Sequence, residues 1–201
     1  MAAKNLKERI SQMREKLLTK DFYEHKGLGN EVPFYIFDYD PADEVLLRNQ
    51  INYLANEDQQ AKEKVVLVDL FELIINSLER KNYVKKTIEK EKIKGKEALL
   101  KGLRRSLKVT EDDSVIKKSI EALETPNKAV LITGLGKVWP ILRGSELLNN
   151  LHAVVTNSPL VLFYPGQYNQ HDLKLFNKIS SEHYYRAFRL EPKIKGGFHG
   201  N

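Results

Sequence analysis

A chain of 201 residues, 41% hydrophobic and 30% charged, is long enough to bury one continuous core and too apolar to stay disordered. It has no cysteine, which excludes a disulfide framework, a thiol nucleophile and a cysteine-zinc site, and its five histidines show no metal-ligand spacing. The formal charge of +6 is local, because residues 80–108 hold 12 basic and 3 acidic side chains while the remainder holds 21 and 24.

Residues 4–19 read as an amphipathic helix, with Leu6, Ile10, Met13 and Leu17 on one stripe. This start is too polar for a signal peptide, and no apolar run approaches the ~20 residues of a membrane-spanning helix, so a soluble cytoplasmic protein is expected. A polar loop follows over 25–31, then a strand over 33–38. The helix expected over 41–56 has a well-specified start: Asp40 as N-cap, Pro41 in the first helical position, Asp43 and Glu44 at the positive end of the dipole. A strand over 65–69 leads to a long helix over 70–92, with another over 96–107 after Gly95. Thr110 and Asp113 have capping-box-like spacing before the run Val115, Ile116, Ile120 and Leu123. A strand over 129–133, a short helix over 146–152, a strand over 159–164, a weaker helix over 172–179 and a last strand over 184–190 complete the chain. The three middle strands are continuous apolar runs, as in a parallel sheet covered on both faces. The pattern predicts a three-layer α/β domain over residues 1–192, with a mostly parallel sheet of about five strands flanked by helices, and a short tail over 193–201. It is similar to a degenerate nucleotide-binding-type fold without a P-loop.

Ligands of open parallel sheets sit beyond the carboxyl ends of the strands. Those ends deliver Asp38, Asp40, Asp69, Thr133, Gly134, Gly136 and the segment from Tyr164 to Tyr168. Gly134-Leu135-Gly136-Lys137 fails as a P-loop, with Leu131 where the first glycine belongs and Val138 in place of the magnesium-holding Ser/Thr. It fails as a dinucleotide fingerprint too, because Trp139 takes the third glycine position, and it reads as a tight turn. Asp38-Tyr39-Asp40 resembles the Asp-x-Asp of haloacid-dehalogenase-type phosphatases, whose first carboxylate attacks phosphorus beside magnesium. That leaves an alternative reading, a metal-dependent phosphatase or nuclease using Asp38, Asp40 and Asp69. The later carboxylate pair this chemistry needs is not at a strand end, since Asp112-Asp113 stands at a helix start.

Arg143 and Arg186 are candidates either to clamp a carboxylate or phosphate or to pair with Asp38 or Asp69. Asn149 and Asn150 are expected to make a helix-end hydrogen bond. Asp38, Asp40, Asp69, Gly134, Gly136, Arg143, Tyr168 and Arg186 thus form a candidate interaction rim, with no catalytic, cofactor or metal residue assigned. Lys85, Lys86, Lys92, Lys94, Lys101, Arg104 and Arg105 form a candidate basic surface. It suits a solvated helix pair, non-specific DNA contact or an acidic protein face, and with Tyr83 as its lone aromatic residue it lacks a stacking platform for single strands.

The same segments resemble a known family. The run from Phe34 to Glu44, followed by Val68-Asp69-Leu70, resembles the start of the BrxB family; Leu131 to Arg143 with Leu147-Leu148-Asn149-Asn150-Leu151 is similar to its central block. Pro159 to Tyr168 and Tyr185-Arg186-Ala187-Phe188 are similar to its closing blocks, and the likeness spans residues 4–192. The resemblance implies a component of BREX, a bacteriophage-exclusion defence system whose other parts include a methyltransferase, a large ATPase and an alkaline-phosphatase-superfamily protein called PglZ. It implies a small accessory subunit with other BREX components as partners, PglZ foremost, with no cofactor and no transferable catalytic motif.

Overall fold

A computed structural model describes residues 2–24, 34–169, 172–182 and 187–190. Five strands, β1 (Phe34–Tyr39), β2 (Val65–Asp69), β3 (Ala129–Thr133), β4 (Leu160–Tyr168) and β7 (Ala187–Arg189), form a parallel sheet in the order β2-β3-β4-β1-β7. An antiparallel hairpin, β5 (Asp172–Leu175) and β6 (Ile179–Glu182), pairs with the end of β4. The helices are α1 (Ala2–Leu18), α2 (Asp21–Glu24), α3 (Glu44–Asn56), α4 (Leu70–Arg80), α5 (Tyr83–Leu107), α6 (Val115–Glu121), α7 (Leu135–Val138) and α8 (Gly144–His152). None among the described residues is long and apolar enough to cross a membrane.

The sheet carries a core on each face, as its continuous apolar strands require. Leu6, Ile10, Met13 and Leu17 of α1 and Leu47, Ile51 and Leu54 of α3 pack against Tyr35, Phe37, Leu131, Val161 and Phe163. On the other face, residues of α4 to α8 pack against Ile36, Val68, Val130, Ile132, Leu160 and Leu162, joined there by Leu173 and Leu175 of β5. The chain therefore leaves β1 on one face and β4 on the other, which puts the topological switch point between these two neighbours.

The sheet strands, the three-layer architecture and most helices stand where the sequence predicts them. Helix boundaries in the basic region differ. The expected helix over 70–92 stops at Arg80 because Asn82 takes a left-handed conformation (φ 54), and α5 starts there. Gly95 (φ 76, ψ 177) then breaks α5. A side chain at Gly102 would meet Lys90 Nζ at 2.5 Å, whereas twelve residues of straight helix span roughly 18 Å. The two arms of α5 are folded back on each other as a helical hairpin.

Residues 172–179 are not a helix. Phe176 and Asn177 have φ of 52 and 59, and the Lys178 N–H donates to the Leu175 carbonyl at 3.0 Å, so the chain reverses through a three-residue hairpin loop between the paired Leu175 and Ile179. Leu173 and Leu175 point inward with period two, a spacing too short to exclude a helix from the sequence. The expected capping box at Thr110 and Asp113 does not form: Ser114 precedes α6, and the Asp113 carboxylate instead pairs with Lys108. The tail over 193–201 lies outside the described residues.

Candidate functional site

Asp38, the last but one residue of β1, stands at the switch point and is 6% exposed. Three donors from distant parts of the chain converge on its carboxylate. Arg9 of α1 reaches Oδ1 at 3.1 Å, Arg189 of β7 pairs with the same oxygen, and the Tyr168 N–H reaches Oδ2 at 2.9 Å. Arg9 also donates to the Asp38 carbonyl at 2.6 Å and lies over the Phe37 ring, 4.5 Å from its centroid. Arg189 donates to the Tyr168 carbonyl, and the Tyr168 hydroxyl to the Ala187 carbonyl, both at 2.6 Å. The local sequence explains the meeting. Pairing of β1 with β4 ends at Tyr39 and Pro165, where proline has no N–H to give, and the Gly166 backbone (φ 150) turns β4 so that Tyr168 comes back over Asp38. Among the described residues, an Arg-Asp-Arg cluster stands at the switch point, where related topologies hold a ligand.

Asp69 ends β2 and caps α4, its Oδ1 accepting from Phe71 N–H at 2.9 Å and Glu72 N–H at 3.3 Å, while Lys137 Nζ stands 2.5 Å from Oδ2. Gly134 (φ 81) is needed beside it, since a side chain there would come within 2.7 Å of the same Oδ1. Gly136 serves a second close approach, with the Phe176 ring and Pro165 packed 3.0 and 3.2 Å from where its Cβ would lie. The β5–β6 turn thus covers the end of β3. A cleft of about 640 Å³ opens elsewhere, between α4 and α6 beside edge strand β2, lined in part by Leu67, Leu73, Val115 and Leu123 with Arg80 and Lys118.

Asp40 is exposed and caps the turn Pro41–Asp43, accepting from Ala42 N–H at 2.9 Å, as the sequence predicts. Asp40→Ala is expected to lower stability by about 0.5–2 kcal/mol, read as a lower urea midpoint with an unchanged m-value. The three aspartates do not form one centre. β4 and β3 lie between β1 and β2, which sets Asp38 and Asp69 roughly 14 Å apart at ordinary strand spacing. Among the described residues no group of three His, Asp or Glu side chains is arranged to hold a metal ion.

The other expected site residues divide. Arg143 is exposed at the start of α8, where its N–H donates to Glu146 Oε2 at 3.1 Å; the partners of Asp38 and Asp69 are Arg9, Arg189 and Lys137 instead. Arg186 lies outside the described residues. Asn150 makes the expected contact, donating to the Val109 carbonyl at 2.7 Å. Arg104 is no part of a free basic surface: it forms a two-point pair with Glu146 at 2.6 and 3.1 Å and donates to the Ile141 carbonyl at 2.7 Å. Lys85, Lys86, Lys92, Lys94, Lys101 and Arg105 are exposed on the α5 hairpin.

A second buried carboxylate, Asp58, was not legible as one. It is 6% exposed and accepts from both Arg14 and, at 3.0 Å each, the Gln60 and Ala61 N–H groups. The Arg14 hydrogen bond and these backbone donors hold its carboxyl well below the usual range. Burial pushes Glu146 up, but Arg104 and the Arg143 N–H more than offset it and lower its pKa. Both groups are depressed in the folded state, so the stability they contribute is full above the ordinary carboxylate pKa, about 4, and is lost as pH falls below it. Urea midpoints are expected to drop between pH 6 and pH 3. Asp58→Asn is expected to start lower at pH 6 and to lose less over the same interval.

The sequence model of the family described as BREX protein BrxB matches residues 66–190. A BREX protein BrxB of Bacillus cereus (strain H3081.97) is 40% identical over 191 residues, covering 94% of this chain and all of that protein. A BREX protein BrxB of Escherichia coli O9:H4 (strain HS) is 33% identical over 187 residues, covering 93% of this chain and 92% of that protein. No solved structure matches. With more than half of the chain inside the family match and both relatives aligned along nearly all of it, the chain belongs to the BrxB family of BREX proteins.

Proposed function

We propose that this chain is a non-catalytic accessory subunit of a BREX-type phage-defence assembly in the cytoplasm, where it docks a larger component, the PglZ-like protein. Family membership supports the defence role. The observation that supports docking over chemistry is the internal use of the strand-end rim. Asp38 is buried under two arginines and a backbone N–H, Asp69 is occupied by a helix start and Lys137, and Phe176 covers Gly136. A nucleophilic or metal-binding carboxylate needs an open approach and a partner carboxylate nearby.

Phage protection in a host lacking the chromosomal gene tests this reading. Asp40→Asn and Asp69→Asn each keep a cap acceptor and remove one charge, and both are expected to restore protection to the level of the unaltered chain at matched abundance. Loss of protection by either variant at wild-type abundance and stability would overturn the non-catalytic reading in favour of the aspartates.

A further inference from the structure

The α5 hairpin does little for the core beyond its base. Val84, Leu99, Leu103 and Leu107 hold that base against the core, whereas residues 88–97 are exposed without a break. The apolar side chains of this tip face water: Ile88 is 48% exposed and Ile93 79%. Within the tip four lysines (90, 92, 94 and 96) stand beside three glutamates (89, 91 and 97), and the positive excess belongs to the hairpin as a whole, with nine basic and three acidic residues over 83–107. Arg104 and Lys108 are used by Glu146 and Asp113, but Lys85, Lys90, Lys92 and Lys94 have no ion-pair partner among the described residues. Through Arg80 and Lys81 the base of the hairpin adjoins the apolar cleft between α4 and α6.

We infer that the α5 hairpin is the docking element of the chain, and that it takes an acidic protein face with an apolar pocket for the isoleucines at its tip. The inference rests on the accessory reading above and names its surface and partner chemistry. Charge complementarity selects an acidic partner. The isoleucines select protein over nucleic acid, because a phosphate backbone offers them no apolar surface to bury. Tyr83 is the lone aromatic side chain of the hairpin, with Lys86 Nζ 5.5 Å from its ring centroid, and a single ring does not make the run of stacking faces that successive bases need.

The test titrates the purified full chain against the immobilised PglZ-like protein of the same system, at low and at raised salt, with a mixed-sequence DNA duplex as a second probe. The variants are Ile93→Asp and the triple change Lys90→Glu, Lys92→Glu, Lys94→Glu. These positions are exposed, so thermal midpoints should match the unaltered chain. Ile93→Asp is expected to weaken protein binding by roughly tenfold or more, as loss of a buried anchor does. The triple variant is expected to weaken it as much and to flatten its salt dependence. Equal binding by all three proteins would overturn the hairpin as the docking surface and leave the accessory reading standing. Absence of binding by the unaltered chain would sink the accessory reading and the inference with it. Duplex binding lost in the triple variant but kept by Ile93→Asp would replace the protein partner with nucleic acid.

Discussion

Asp38→Ala is expected to destabilise the fold by about 2–4 kcal/mol, below the range for a fully buried pair, because it leaves two partly buried guanidinium groups without the carboxylate oxygen they share. Arg9 belongs to the first helix and Arg189 to the last sheet strand, so the carboxylate joins three parts of the chain that local structure alone would not hold together. Asp38→Asn keeps an acceptor for the Tyr168 N–H and is expected to fall between the two. Urea unfolding of the purified variants measures both. An Asp38→Ala protein as stable as the unaltered chain would mean that the arginines do not depend on this carboxylate, and would return Asp38 to the candidates for chemistry.

Gly166→Ala is expected to cost roughly 3 kcal/mol or more, through overpacking and a backbone conformation that L side chains rarely adopt. The added Cβ would lie 2.1 Å from the Lys174 carbonyl oxygen, a backbone atom, so β4 and β5 must part for it to fit. Separation there releases more than one strand pair. The hairpin carries Phe176 onto Gly136, and Tyr168, two residues beyond Gly166, supplies the N–H bound to Asp38. Increased amide exchange at Tyr168 and over 172–176, together with a lower thermal midpoint, is the expected signature. A variant with the unaltered midpoint would show that the β4–β5 junction has room to yield.

How much of this was legible in the sequence depends on the range of the interaction. The runs 65–69 and 129–133 are strands at the predicted residues, because continuous apolar runs flanked by helix starts admit few other readings. Asp40 and Asp69 act locally, on N–H groups two or three residues ahead, and the first of these caps is evident from Asp-Pro alone. The partners of Asp38 are 29, 130 and 151 residues away, a separation that no spacing rule spans. Arg189 is marked only as a charge within a strand pattern, and Arg9 only as a neighbour of the apolar stripe at Ile10. Arg104 illustrates the converse error. A count of charge between residues 80 and 108 includes it with the free lysines, but Glu146 is 42 residues away and takes it out of the surface. Phe176 concealed the hairpin turn, since a phenylalanine is seldom found at positive φ and Asn177 alone is a weak signal.

The central claim is that the chain works by holding a protein partner, and one purification tests it most directly. The tagged full chain, expressed with its neighbouring genes, is recovered from nuclease-treated and untreated lysates at moderate salt. The account predicts the PglZ-like protein in fixed proportion to the bait under both conditions. Recovery of the bait alone, or of partners that disappear on nuclease treatment, would contradict it.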